Sequence, residues 1–148
     1  MGLDQMLYRR TYVSSIHKIT VENSDEKYNL PKIDADKIVG VVEEVMCWRK
    51  ANQIHKWFVD NIQNGVDDCG TYTVSLEKLQ ELVDLCKQVL ENPQKASELL
   101  PTQSGFFFGG IEYDEYYFED LEKTIKGLEE IMPTIDGFNN SLEYSSSW

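Results

Sequence analysis

The chain has 148 residues, a formal net charge of −12, 41% hydrophobic and 27% charged side chains. That length and balance suit a single globular domain spanning 1–148 with a core of its own. No apolar run approaches the ~18 residues a membrane span needs, and Met1-Gly2-Leu3-Asp4-Gln5-Met6 lacks the basic flank and apolar stretch of a secretion signal, so a cytoplasmic protein is expected.

The chain opens with Gln5 to Val13, where Tyr8, Arg10 and Tyr12 alternate with Leu7, Arg9, Thr11 and Val13. This pattern predicts a strand with one polar face. Lys18 to Glu22 reads as a second short strand, Asn23 to Lys27 as a turn, and 28–37 as a connecting loop around Pro31. Ile38 to Trp48 is rich in β-branched residues and is predicted to be a central strand.

A helix is predicted from Arg49 or Lys50 to about Asn64, with Ile54, Trp57, Phe58 and Ile62 as its apolar stripe. Asn64-Gly65 suits its C-terminus. Gly65 to Gly70 reads as a turn and Thr71 to Val74 as a strand. Ser75 is a good N-cap for a second helix with Leu76, Leu79, Val83, Cys86 and Leu90 inward, stopped by Asn92-Pro93. A short helical turn is expected at 94–99.

In Gly105-Phe106-Phe107-Phe108-Gly109 an extended chain places Phe106 and Phe108 on one side and Phe107 on the other, with two of the three in the core. Asp114 caps a third helix running to about Met132, with the stripe Phe118, Leu121, Ile125, Leu128 and Met132. Gly127 inside it costs about 1 kcal/mol relative to Ala. The tail ends on Trp148 and reads as a last strand added to the sheet. The fold class is therefore α+β: a small, mainly antiparallel sheet with about three helices packed on it. It divides into a neutral, strand-rich part (1–48), an acidic helical part (49–133) and a C-terminal strand or tail (134–148).

Three cysteines without a CxxC pair argue for free thiols, with Cys47 and Cys86 in the core and Cys69 in a turn. The charge is lopsided. Residues 1–50 carry eight basic and eight acidic side chains, residues 51–148 six and eighteen. Phosphate backbones repel such a surface, so direct nucleic-acid binding is set aside, whereas a basic protein surface is attracted.

Five ordered motifs carry a resemblance. They are Met1 to Tyr8, Trp48 to Phe58, Gly65 to Cys69, Leu100 to Gly109 and Tyr144 to Trp148. Together they resemble a family of small phage and prophage proteins that begin Met-Gly-Leu-Asp-Met-Tyr-Leu. The departure here is Gln5-Met6. The resemblance implies a shared fold and origin in a bacterial host, and it brings no activity, cofactor or site residue with it.

Two kinds of site are expected. The enzyme reading, a small hydrolase or metal-dependent enzyme, gathers His55, Asp67, Asp68 and Cys69 with Arg49 and Asn52, with His55 as general base and an Asp to orient it or hold a divalent cation. In a straight helix Asp67 lies roughly 18 Å from His55, so the turn must fold back. No HExxH, GxSxG, P-loop or CxxC signature supports it, and neither metal nor cofactor is expected. The binding reading uses the acidic start of the third helix, Glu112, Asp114, Glu115, Tyr116, Glu119 and Glu122, against a basic protein. If that partner's groove normally holds nucleic acid, the protein acts as an acidic mimic, an inhibitor of the anti-CRISPR or anti-restriction type. A virion or assembly component is the third alternative.

Overall fold

The computed structural model describes residues 2–14, 16–22 and 32–148. Four strands make one sheet: β1 (Asp4–Tyr12), β2 (Gly40–Arg49), β3 (Thr71–Val74) and β4 (Asn140–Ser147). Their order is β2-β1-β4-β3, and every neighbouring pair is antiparallel. The helices are α1 (Asn52–Asn61), α2 (Leu76–Glu91), the one-turn α3 (Ala96–Leu99) and α4 (Glu115–Ile131). The fold is a small α+β domain.

Alternation along the strands explains why the helices sit on one face. Leu3, Gln5 and Leu7 of the β1 arm are buried, as are Leu142, Tyr144 and Ser146 of β4, Met46 and Trp48 of β2, and Val74 of β3. These residues meet Ile54 and Phe58 of α1, Leu79, Leu82 and Val83 of α2, and Leu121 and Leu128 of α4 in one core. The opposite face carries residues such as Arg10, whose guanidinium pairs with Glu143 across β1 and β4 at 3.1 Å.

The caps form where expected. The Ser75 hydroxyl accepts from Lys78 N–H, and the Asp114 carboxylate accepts from Tyr117 N–H. α2 and α4 pack on each other and share the Lys87–Glu129 ion pair. No helix among the described residues is long and apolar enough to cross a membrane.

Several elements differ from expectation. β2 is a strand but lies at the sheet's edge; the central places belong to β1 and β4. Its pairing slips between Leu7↔Met46 and Tyr8↔Glu44, which leaves Val45 as the extra residue of a bulge. Lys18 to Glu22 forms no strand, while the expected turn at 23–27 and the stretch around Pro31 lie outside the described residues. α1 starts later than expected because β2 runs through Arg49 and Lys50 turns the chain at φ +59°. Cys47 is exposed, since it points away from the face that buries Met46 and Trp48. In α2, Leu76 is exposed and Leu82 and Val89 take core places. In α4 the fully buried stripe is Tyr117, Leu121, Thr124 and Leu128, with Phe118 and Ile125 only partly covered. Only one of the three phenylalanines, Phe108, is in the core.

Candidate functional site

α1 begins at Ala51 without a side-chain cap of its own. Gln5 of β1 supplies the polar contacts instead: its Nε2 donates to Ala51 O at 3.0 Å and its Oε1 accepts from Ala51 N–H at 3.2 Å. The next polar side chains of the helix are also buried and occupied. Asn52 Nδ2 donates to the carbonyls of Phe108 and Gly110, and its Oδ1 accepts from Gln103 N–H. Gln53 Nε2 reaches Tyr117 O and Asp120 Oδ2, both at 3.3 Å. α1 thereby pins the 100–114 loop and the start of α4 to the sheet.

His55 continues this pattern. The chain does fold back after α1, so that Asp67 Oδ2 stands 2.9 Å from His55 Nε2. The other ring nitrogen, Nδ1, is 2.7 Å from the Tyr144 hydroxyl of β4. Trp148 Nε1 donates to the second oxygen of Asp67 at 3.0 Å. With Asp67 as a carboxylate, which only accepts, Nε2 donates to it, and Nδ1 of the neutral ring then accepts from the Tyr144 hydroxyl. Burial pushes the Tyr144 phenol well above its usual range, so it keeps that proton.

The order hydroxyl–imidazole–carboxylate is that of a nucleophilic triad, but its outlet is closed. His55 and Tyr144 both have no exposed surface. The Tyr144 ring stacks on Phe58 with centroids 3.8 Å apart, and Phe108 sits edge-on to His55 at 5.6 Å. A general base must reach the proton it removes, and neither ring nitrogen has a free side. This arrangement ties α1, the 62–70 turn and the end of β4 together. Asp68 stands apart from it. Its carboxylate accepts from Gly70 N–H and the Tyr72 hydroxyl within its own turn, which holds its pKa below the usual value. Among the described residues no group of three His, Cys, Asp or Glu side chains is placed to hold a metal ion.

The acidic start of α4 is open. A cleft of about 310 Å³ lies between it, the 102–112 loop and the β2–α1 junction. Glu112, Asp114, Tyr116 and Glu119 line one side, and Arg49 and Lys50 line the other. Asp120 lies deeper in the cleft, where burial raises its pKa against the opposing hydrogen bond from Gln53. Tyr117 forms part of the wall and donates its hydroxyl to Leu100 O. Glu115 and Glu122 are exposed and lie outside the cleft lining. Among the described residues none of Glu112, Asp114, Glu115, Glu119 and Glu122 forms an ion pair, although Glu43, Glu81, Glu129 and Glu143 all do.

Comparison with protein-family models, curated proteins and solved structures finds no match.

Sequence reasoning brought His55 and Asp67 together as candidates, and it named four residues that share the cleft. It missed Tyr144 and Trp148 as partners of that pair, and Arg49 and Lys50 as the opposite wall of the cleft. The Trp at the end of a polar tail was the one hint of the former.

Proposed function

We propose that this is a phage-type accessory protein that binds and inhibits a basic nucleic-acid-handling protein of host or phage defence, using the acidic face of α4 in place of nucleic-acid phosphates. The observation that carries this reading is the row of exposed carboxylates without cationic partners among the described residues. Some acids elsewhere are neutralised locally, as Arg9–Glu43 and Arg10–Glu143 show.

Glu115, Glu119 and Glu122 form one row on the helix, rising along the axis in steps of about 6 and 4.5 Å. Part of the acidity has a local cause, because Asp114 caps α4 and Glu115 lies in its first turn. Glu112, Glu119 and Glu122 have no such structural role. The phage resemblance of the sequence agrees with an accessory protein that works by attachment, since the buried His55 chain offers no open chemistry.

The test is capture from bacterial lysate on the immobilised protein over a salt series, with duplex DNA as competitor. Nucleic-acid-binding proteins should be retained at low salt, released as salt rises, and displaced by DNA. The Glu112→Gln/Glu119→Gln/Glu122→Gln variant should lose that retention. Equal capture by this variant, or retention indifferent to salt, would remove the proposal.

A further inference from the structure

Phe106 and Phe107 form an exposed aromatic knuckle on the loop whose Gly109 and Gly110 line the acidic cleft, and their presentation is built rather than incidental. The turn Gly105–Phe108 closes with Phe108 N–H donating to Gly105 O at 3.3 Å. Phe107 within it sits at φ +60°, a conformation that favours Gly or Asn and is an outlier for a bulky side chain. Phe106 is 80% exposed and Phe107 48% exposed, their rings edge to face with centroids 4.3 Å apart.

The backbone beneath is held on both sides. Asn52, itself buried, donates to Phe108 O and Gly110 O and accepts from Gln103 N–H. Phe107 O accepts from Leu3 N–H. Gly109 lets the loop lie against Lys50, since a Cβ there would stand 3.0 Å from Lys50 Cβ. Phe108 is wedged between His55 and Trp148. A buried hydrogen-bonded base thus holds two aromatic rings in water, in a strained conformation that folding alone does not reward. Such strain gathers at functional sites, and aromatic side chains, Phe among them, are enriched at the cores of interfaces.

We infer that the Phe106-Phe107 knuckle is the apolar anchor of the interface, entering an apolar pocket on a basic protein while the carboxylates of Glu112, Glu119 and Glu122 meet the cationic rim of that pocket. Charge complementarity selects this occupant. A second copy of this chain, itself at net charge −12, or an anionic bilayer would bring net negative charge against net negative charge. The inference rests on the basic-partner reading above, but it makes a separate claim: the salt-independent part of the affinity lies in one loop.

The experiment places the photo-crosslinker p-benzoylphenylalanine at position 106 and, as a control, at position 138, where Phe138 is also highly exposed. Irradiation in bacterial lysate is followed by identification of the adduct. The captured protein is then purified and titrated with wild type, Phe106→Ala, and the Glu112→Gln/Glu119→Gln/Glu122→Gln variant over a salt series. The expected result is an adduct with a basic protein at 106 and not at 138. Phe106→Ala should bind about tenfold or more weakly with an unchanged salt slope, while the triple variant flattens the slope. Phe106→Ala should also keep the wild-type unfolding midpoint, so weaker binding cannot be laid to misfolding.

Wild-type affinity for Phe106→Ala, with the triple variant still flattening the slope, overturns the anchor and leaves the basic-partner reading standing. Weaker binding by Phe106→Ala with no salt slope in the wild type overturns the basic-partner reading and the inference with it. An adduct only with a second copy of the chain, or no adduct at 106, also overturns it.

Discussion

Tyr144 and Tyr72 each direct a hydroxyl to a polar partner, but the consequences of removing it differ. Tyr144→Phe leaves His55 Nδ1 without a donor in a place closed to water, and an unpaired buried polar atom costs about 1–3 kcal/mol. Tyr72→Phe removes the hydroxyl on Asp68 at the surface, where water replaces it, and should leave the unfolding midpoint nearly unchanged. Urea unfolding of the two variants measures both; equal effects would mean that the His55 chain is not a structural tie. At this scale His55 and Asp67 were legible as a pair because they are close in sequence and chemically apt. Their closure was not. The helical pattern places Asn52, His55 and Lys56 on neighbouring turns as a polar side, but the 100–114 loop and β4 cover most of it. Those covers come from far along the chain, so no local spacing announces them.

Elements show where local signals end. Ile38 to Trp48 reads as a central strand because β-branched residues dominate it, yet β2 takes the edge and leaves Val42 and Glu44 exposed. β4, with the polar run Ser145-Ser146-Ser147, takes a central place. A sheet covered on one face asks only alternate residues to be buried, and Leu142, Tyr144 and Ser146 meet that demand. Most of the elements, the caps of α2 and α4 and many boundaries were readable, the strand expected at Lys18 to Glu22 excepted; their order in the sheet was not, because pairing depends on partners distant in sequence. Gly127 has a reason at this scale that propensity does not supply. A Cβ there would stand 2.6 Å from Met46 Sδ, so the glycine lets α4 approach the β2 edge. Gly127→Ala gains about 1 kcal/mol of helix propensity and loses part or all of it to this contact. In a Met46→Ala background the contact is gone. Gly127→Ala should therefore be more stabilising there than in the wild type, with a coupling of about 0.5 kcal/mol or more in a double-mutant cycle. Additivity of the two changes would show that Met46 swings aside freely.

The whole molecule divides its labour: the sheet's central pairing and the His55 chain hold it together, while an acidic row at the start of α4 borders one side of the cleft. The charge imbalance between residues 1–50 and 51–148 was visible in the sequence, and it remains the feature on which the functional reading depends. The central pairing joins the two ends of the chain, Asp4 opposite Ser147 and Leu7 opposite Tyr144. β1 is therefore the first strand of this sheet to be made and the last to be completed, and during synthesis its edge toward β4 waits while the elements between them emerge. Contacts so distant in sequence slow folding, because the loop they close must be ordered first. Joining residue 148 to residue 2 through a short flexible linker, and opening the chain at the exposed Asn64-Gly65 turn, would turn β4–β1 into a hairpin. Such a circular permutant should refold faster than the natural order in stopped-flow measurements, and an unchanged rate would show that the β1–β4 junction forms after the rate-limiting step. The same geometry makes the natural order a timer, since the sheet cannot close before β4 has left the ribosome.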